Sequence, residues 1–166
     1  MTAAFRPASH LIADTALTRP LRLGATSPHN PYDRRAFSGT VHHAVNALAA
    51  RSDVELTILG PHRPLGRIDR VLRRQSPRFD PNMLAGDGRD FEGLDAVLGL
   101  VASPLLDRAR RLTDLPLLHV TDATPGFLRT LYGRAVPDAN IRREARVLAH
   151  CKTAYSSRVM ANQAVA

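Results

Sequence analysis

One segment limits most strongly what this chain can fold into. Residues 94 to 103 read LDAVLGLVAS and are apolar at nearly every position. A strand with one face in water alternates apolar and polar residues, whereas a strand buried on both faces of a parallel sheet is apolar throughout. The run is too short for a membrane span, which needs about 20 apolar residues. It therefore predicts a central strand covered by helices on both sides.

Strand-like and helix-like patterns alternate along the rest of the chain. The predicted strands are 21–27 (LRLGATS), 54–61 (VELTILGP), 115–124 (LPLLHVTDAT) and 153–156 (TAYS). Between them, apolar residues recur at helical spacing, first at Val41, Val45, Leu48 and Ala49. This order predicts the doubly wound α/β class, with a mostly parallel sheet and helices on both faces.

Local signals mark the expected ends of several helices. Pro104 and Pro125 stand where helices are expected to begin, and Gly133 follows the end of one. Ser38 or Thr40 is expected to cap the first helix, because a side-chain oxygen there accepts a bond from a first-turn amide. Asn140 is expected to cap a longer helix, whose apolar face is Ile141, Ala145, Leu148 and Ala149.

The length of 166 residues fits one domain. Residues 1–20 lack the basic start and apolar run of a secretory signal and are interpreted as a flexible leader, so the domain is expected to span 21–166. The last helical pattern, RVMANQAVA, has no Gly, Pro or basic last turn to close it. We therefore expect the chain to be the first part of a longer protein.

The formal charge is +8, and Lys152 is the only lysine among 23 basic residues. A positive net charge favours anionic partners in general. The high share of arginine has an alternative explanation in a GC-rich genome, whose codons favour Arg over Lys. The arginines are scattered, aromatic residues are only 5%, and no nucleic-acid motif is present, so no specific nucleic-acid partner is predicted. Cys151 is the single cysteine, which fits a reducing, cytoplasmic compartment.

Ligands of open parallel sheets bind at the carboxyl ends of the strands, near the point where the strand order reverses. After the first predicted strand, this rule selects Ser38, Gly39 and Thr40, which lie just before a helix. A helix start offers free amides and a positive dipole end, and glycine lets a phosphate approach the backbone. The alternative is a plain capping turn, since neither GxGxxG nor GxxxxGK[ST] is present.

A second candidate is HVTDAT, where a buried strand emerges. Asp122 is placed to act as a base or to bind a sugar hydroxyl, and the alternative is an Asp that only caps the next turn. His119 lies within the same strand and is interpreted as a core histidine.

The other histidines, the serines and the cysteine form no recognisable metal-binding or catalytic motif. His42 and His43 are adjacent and lack the i, i+4 spacing of a metal pair, and HExxH and CxxC are absent, so no metal site is predicted. No Gly-x-Ser-x-Gly elbow supports a serine hydrolase. Cys151 is interpreted as a small buried hydrophobic residue rather than a reactive thiol.

Three stretches together resemble the N-terminal domain of family 4 glycosyltransferases of the GT-B fold. They are FSGTVHHAVNALAARSDVELTILGP (37–61), LPLLHVTDATPGFLRTLYG (115–133) and REARVLAHCKTAYSSRVMANQAV (143–165), and the resemblance extends in order over residues 21 to 166. The resemblance implies a Rossmann-like acceptor-side half whose C-terminal donor-binding half is absent from this sequence. It also implies retaining transfer from a nucleotide sugar as co-substrate, without a cofactor and usually without a metal.

The resemblance assigns roles to residues of this chain. Ser38, Gly39 and Thr40 would form the loop facing donor phosphates and acceptor, although family members often carry a second glycine there. Asp122, with Thr121 beside it, matches the catalytic-cleft position, and Ser156 and Ser157 match the last cleft-facing turn.

The expected function is thus half of a glycosyltransferase, inactive as the isolated chain. Its partners would be a sugar or lipid-linked acceptor and a separate donor-binding domain or chain, with no transmembrane segment. The alternative is a stand-alone Rossmann-like module that binds a phosphorylated small molecule.

Overall fold

The computed structural model describes residues 18–35, 39–59 and 88–155. Five strands lie in these ranges: β1 (Leu21–Thr26), β2 (Val54–Ile58), β3 (Ala96–Leu100), β4 (Leu117–Thr121) and β5 (Lys152–Tyr155). The helices are α1 (Thr40–Ala49), α2 (Ser103–Ala109), α3 (Pro125–Tyr132) and α4 (Asp138–Leu148), with a 3₁₀ turn at Arg89–Phe91. No helix of the described ranges is long and apolar enough to cross a membrane.

The strands form one parallel sheet in the order β2-β1-β3-β4-β5. The chain moves outward from β1 to β2 and then continues on the other side of β1, so the strand order reverses between β1 and β3. The predicted α/β class with a doubly wound parallel sheet is confirmed, and its switch point lies at the carboxyl ends of β1 and β3.

Helices cover both faces of the sheet, as the sequence predicted. On one face, Val41 and Val45 of α1 pack against Leu23, Leu98 and Leu100. On the other face, the buried cluster of α2, α4 and the sheet comprises Leu59, Phe91, Val97, Leu106, Ala109, Leu117 and Val147. All five residues of β3 are buried, which is the reason for its uninterrupted apolar run.

Gly99 allows α2 to lie close to the centre of the sheet. A Cβ atom added at Gly99 would stand 2.5 Å from Cδ1 and 2.6 Å from Cγ of Leu106. Carbon atoms in contact are normally about 3.5–4.0 Å apart, so only glycine fits beneath this leucine.

The helix boundaries agree in part with the sequence signals. Pro104 and Pro125 lie in the first turns of α2 and α3, and Gly133 ends α3 with a φ of 59°. Thr40 does not cap α1: it is the first helical residue and the N-cap is Gly39, while Ser38, the other predicted cap, lies outside the described residues.

The prediction for α4 was wrong in its start and in part of its buried face. The helix begins at Asp138, so Asn140 lies within it, and its buried residues are Glu144 and Val147 while Ala145 and Ala149 are exposed. Alanine contributes little to an apolar pattern, and Glu144 gains a hydrogen bond with Ser103 that favours turning its side inward. Residues 1–17 and 156–166, which include most of the predicted leader and the last helical pattern, lie outside the described residues.

Candidate functional site

A small cleft opens at the carboxyl edge of the sheet, where the sequence placed the site. It has a volume of about 60 Å³ and lies between the start of α1, the ends of β3 and β4, and the turn after β4. Its lining is Thr40, Val41, Ala44, Leu100, Val101, Val120, Thr121 and Asp122. Three residues predicted from the sequence, Thr40, Thr121 and Asp122, are therefore brought together, although more than 80 positions separate Thr40 from Asp122 in the chain.

The start of α1 depends on Gly39. Gly39 is buried with a φ of 78°, a left-handed conformation that other residues adopt at a cost. An added Cβ would stand 2.9 Å from the carbonyl oxygen of Arg34 and 3.2 Å from the His43 ring. Both the backbone angle and the space demand glycine, so the turn is a built feature of the fold.

The electrostatics of this helix end favour an anion. The N-cap of α1 is Gly39, which has no side chain to cap the helix, and the first turn contains no acidic residue. The first amides of a helix carry a partial positive charge that a side-chain cap or an acidic residue usually offsets. Among the described residues, the start of α1 therefore has neither, which is the arrangement found where helices bind phosphate.

The turn after β4 presents Asp122 to solvent beside the cleft. Thr121 is buried, and its hydroxyl donates a 3.0 Å hydrogen bond to the carbonyl oxygen of Ala123. Thr124 caps α3, because its hydroxyl oxygen accepts a 3.1 Å bond from the amide of Phe127. The helix cap is thus Thr124 and not Asp122, which leaves the exposed Asp122 carboxylate available to a ligand.

Two residues of the cleft, Val101 and Val120, were not predicted from the sequence. Val101 has a φ of 53°, which is rare for a β-branched residue, and its amide donates a 2.8 Å bond to the carbonyl oxygen of Val120. Val120 lies in the last part of β4 yet is 36% exposed. Both valines read as ordinary strand residues, and no sequence signal distinguishes a strained or uncovered valine from a packed one.

Ser38, Ser156 and Ser157 lie outside the described residues. Of the proposed phosphate-facing turn, the structure therefore describes Gly39 and Thr40. β5 ends at Tyr155, and Ser156 and Ser157 are the next two residues in the sequence.

His42 holds the loop after β1 against α1. Its Nδ1 lies 3.0 Å from the carbonyl oxygen of Pro31, and its Nε2 lies 2.9 Å from Nδ2 of Asn46. A neutral ring that donates from Nδ1 and accepts at Nε2 satisfies both partners. Both ring nitrogens of His42 therefore have partners that fix the loop after β1 against α1.

The buried titratable groups lie behind the cleft edge. His119 is 1% exposed, and burial lowers its pKa to about 4, so the predicted core histidine is confirmed. Burial also raises the pKa of Glu144, which lies on α4 close to Ser103 at the start of α2. Cys151 is half-buried and packs against the core, and burial together with the Glu144 charge raises the pKa of its thiol to about 11, so a packing role fits it better than a reactive thiol.

Within residues 18–35, 39–59 and 88–155, no group of three or more His, Cys, Asp or Glu side chains is arranged to hold a metal ion. The chemistry offered by the described cleft is therefore a carboxylate, a helix end and an apolar wall. No protein-family model, curated protein or solved structure matches this chain, so the site is interpreted from its own geometry.

Proposed function

We propose that this chain is the acceptor-side half of a retaining glycosyltransferase, which transfers a sugar from a nucleotide-sugar donor to an acceptor hydroxyl. One observation carries the proposal: the start of α1, with a glycine N-cap and no acidic residue in its first turn, borders the same cleft as the Asp122 carboxylate at the carboxyl edge of the sheet. A transferase of this kind needs a site for phosphate charge and a site for a hydroxyl, side by side.

The two sides of the cleft have separate roles in this proposal. The amides at the start of α1, at Gly39 and Thr40, stabilise the phosphate charge that develops as the sugar departs. Asp122 accepts a hydrogen bond from the acceptor hydroxyl and so orients its oxygen. Thr121 acts through its bond to Ala123, which holds the turn that carries Asp122.

The transfer needs no redox or other cofactor, because one bond breaks and one bond forms. The bond between the anomeric carbon and the phosphate oxygen breaks, and its electron pair stays with the departing nucleoside diphosphate. A new bond forms from the acceptor oxygen to the anomeric carbon on the same face of the sugar. The hydroxyl proton passes to the departing phosphate oxygen.

The experiment begins with the gene. The chain is expressed with whatever coding sequence follows Ala166 in frame, and transfer from a panel of nucleotide sugars is measured. We expect kcat/KM to fall by about 100-fold in Asp122→Asn, within the range found when a group that orients a reacting hydrogen is lost. Asp114→Asn changes an exposed carboxylate in the turn before β4, at the other edge of the sheet, and serves as the matched control.

Absence of transfer from every nucleotide sugar, or equal activity of Asp122→Asn and wild type, would refute the proposal. The 166-residue chain alone is expected to transfer no sugar, and turnover by it would overturn that expectation.

A second candidate is a stand-alone module for a phosphorylated small molecule, favoured by the glycine N-cap and the acid-free first turn of α1. Titration of the 166-residue chain with glucose 1-phosphate and with inorganic phosphate separates the two. Micromolar binding that Gly39→Ala abolishes supports the module, whereas the half-enzyme is expected to bind these probes weakly.

A further inference from the structure

We infer that the acceptor hydroxyl belongs to a small apolar alcohol, alkyl or aryl, and not to a second sugar. This inference rests on the proposed transfer function and names the substrate class of its acceptor side. In this inference the hydroxyl of the alcohol binds at Asp122, and its apolar body lies in the cleft beside it.

The walls of the cleft are almost entirely aliphatic. Five of its eight lining residues are Val41, Ala44, Leu100, Val101 and Val120. The other three lining residues are polar, and the hydroxyl of one of them, Thr121, already donates a hydrogen bond to the carbonyl oxygen of Ala123. The polar side chains left for a ligand are Thr40 and Asp122, both exposed at the rim.

Such a wall is a poor match for a sugar ring. A sugar carries hydroxyl groups around its whole ring, and each one buried against an aliphatic wall without a partner is costly. An alcohol with one hydroxyl and an alkyl or aryl body places its single polar group at Asp122 and its apolar part on the wall.

Val120 is the centre of this wall. It lies beside Leu100 of β3 and Ala154 of β5 in the sheet register, on the face that α1 covers over β1 and β3. Its neighbours His119 and Thr121 are buried, whereas Val120 is 36% exposed. An exposed valine on a sheet face, at the mouth of a cleft, is apolar surface that a ligand would remove from water.

The other exposed large apolar side chains of the described ranges do not line the cleft. They are Tyr32, in the loop after β1, and Leu131 and Tyr132, in the last turn of α3.

Size and charge select the occupant. A volume of about 60 Å³ holds a small alkyl group or the edge of one ring, since a cavity of about 10–15 Å³ already admits one water molecule. The Asp122 carboxylate at the mouth accepts a hydrogen bond from a neutral hydroxyl.

The first test uses the 166-residue chain with methyl groups labelled for NMR, and phenol, n-hexanol and glucose as probes. We expect phenol and hexanol to shift the methyl signals of Val120, Val101 and Val41 at millimolar concentration, and glucose to shift none. Val120→Ser should weaken phenol binding about fivefold, the effect of returning a few tens of Å² of apolar contact to water. Leu131→Ser, in the last turn of α3 and outside the cleft, should bind phenol as wild type does.

Two results would overturn the inference: glucose shifting the Val120 methyls as strongly as phenol, or Leu131→Ser weakening phenol binding as much as Val120→Ser. The second result would mean that the edge is a general apolar surface for another protein.

The second test keeps this inference separate from the proposed function. In the protein expressed with its in-frame continuation, apolar alcohols and free sugars compete as acceptors. Transfer only to sugars refutes the inference and leaves the glycosyltransferase standing. Phenol binding at Val120 without transfer from any donor refutes the glycosyltransferase and leaves the apolar cleft standing.

Discussion

Gly99→Ala should destabilise the protein, although alanine is normally the better residue in a folded chain. The added Cβ would stand 2.5, 2.6 and 3.0 Å from three carbon atoms of Leu106, which is fully buried and has no free space to enter. Overpacking of a dense core costs about 1–3 kcal/mol. Replacing glycine returns about 0.5–1 kcal/mol of backbone entropy. The net loss in the free energy of unfolding should be about 1 kcal/mol.

Urea unfolding followed by circular dichroism measures this loss. Gly126→Ala is the matched control, because the nearest atom to its added Cβ is Thr124 Oγ1 at 3.9 Å and the position lies in α3. There we expect a gain of about 0.5 kcal/mol. The contrast between the two substitutions isolates the steric contribution from the entropic one.

A double-mutant cycle with Leu106→Ala tests the cause. If the clash with Leu106 is responsible, Gly99→Ala should cost about 1–2 kcal/mol less in the Leu106→Ala background than in wild type. A Gly99→Ala protein with an unchanged urea midpoint, or strictly additive effects in the cycle, would refute the reasoning.

Three further predictions concern single residues. Val101→Gly should be at least as stable as Val101→Ala in thermal unfolding, because a left-handed conformation costs a non-glycine residue about 1–2 kcal/mol; a more stable alanine variant would contradict the strain at φ 53°. Thr124→Ala should lose about 1 kcal/mol by removing the cap of α3 while Thr124→Ser keeps most of it, and equal losses in both would exclude a capping role. Burial lowers the pKa of His119 to about 4, so the unfolded chain binds a proton between pH 6.5 and 4 that the folded chain does not. Stability should therefore be full above pH 6.5 and fall as the pH drops towards 4, with a smaller slope in His119→Leu; identical slopes in urea titrations would assign the effect to other groups.

The candidate site was partly predictable from the sequence. The rule that ligands bind at the carboxyl ends of parallel strands selected Gly39, Thr40 and Asp122 without any contact information, because that edge follows from strand order alone. The neighbours that give the cleft its character, Val101 and Val120, carried no signal. Their strain and exposure arise from how β3, β4 and α1 meet, and a valine in a strand looks the same whether or not a helix covers it.

The sequence by itself determined the class of fold. An apolar run at 94–103 between helical patterns can satisfy its backbone and its side chains only inside a parallel sheet covered on both faces, and β3 is buried at every position. The prolines and Gly133 marked helix ends for equally local reasons, since their backbone angles are intrinsic.

Tertiary structure decided which side of α4 is buried and where distant groups meet. The buried side of α4 is set by its contact with α2, where Glu144 lies close to Ser103, 41 positions away in the chain, and not by its alanines. The pairing of Asp122 with the start of α1 likewise depends on the order β2-β1-β3-β4-β5. Local propensity acts over a few residues, whereas strand order and helix rotation minimise the exposed apolar surface of the whole molecule.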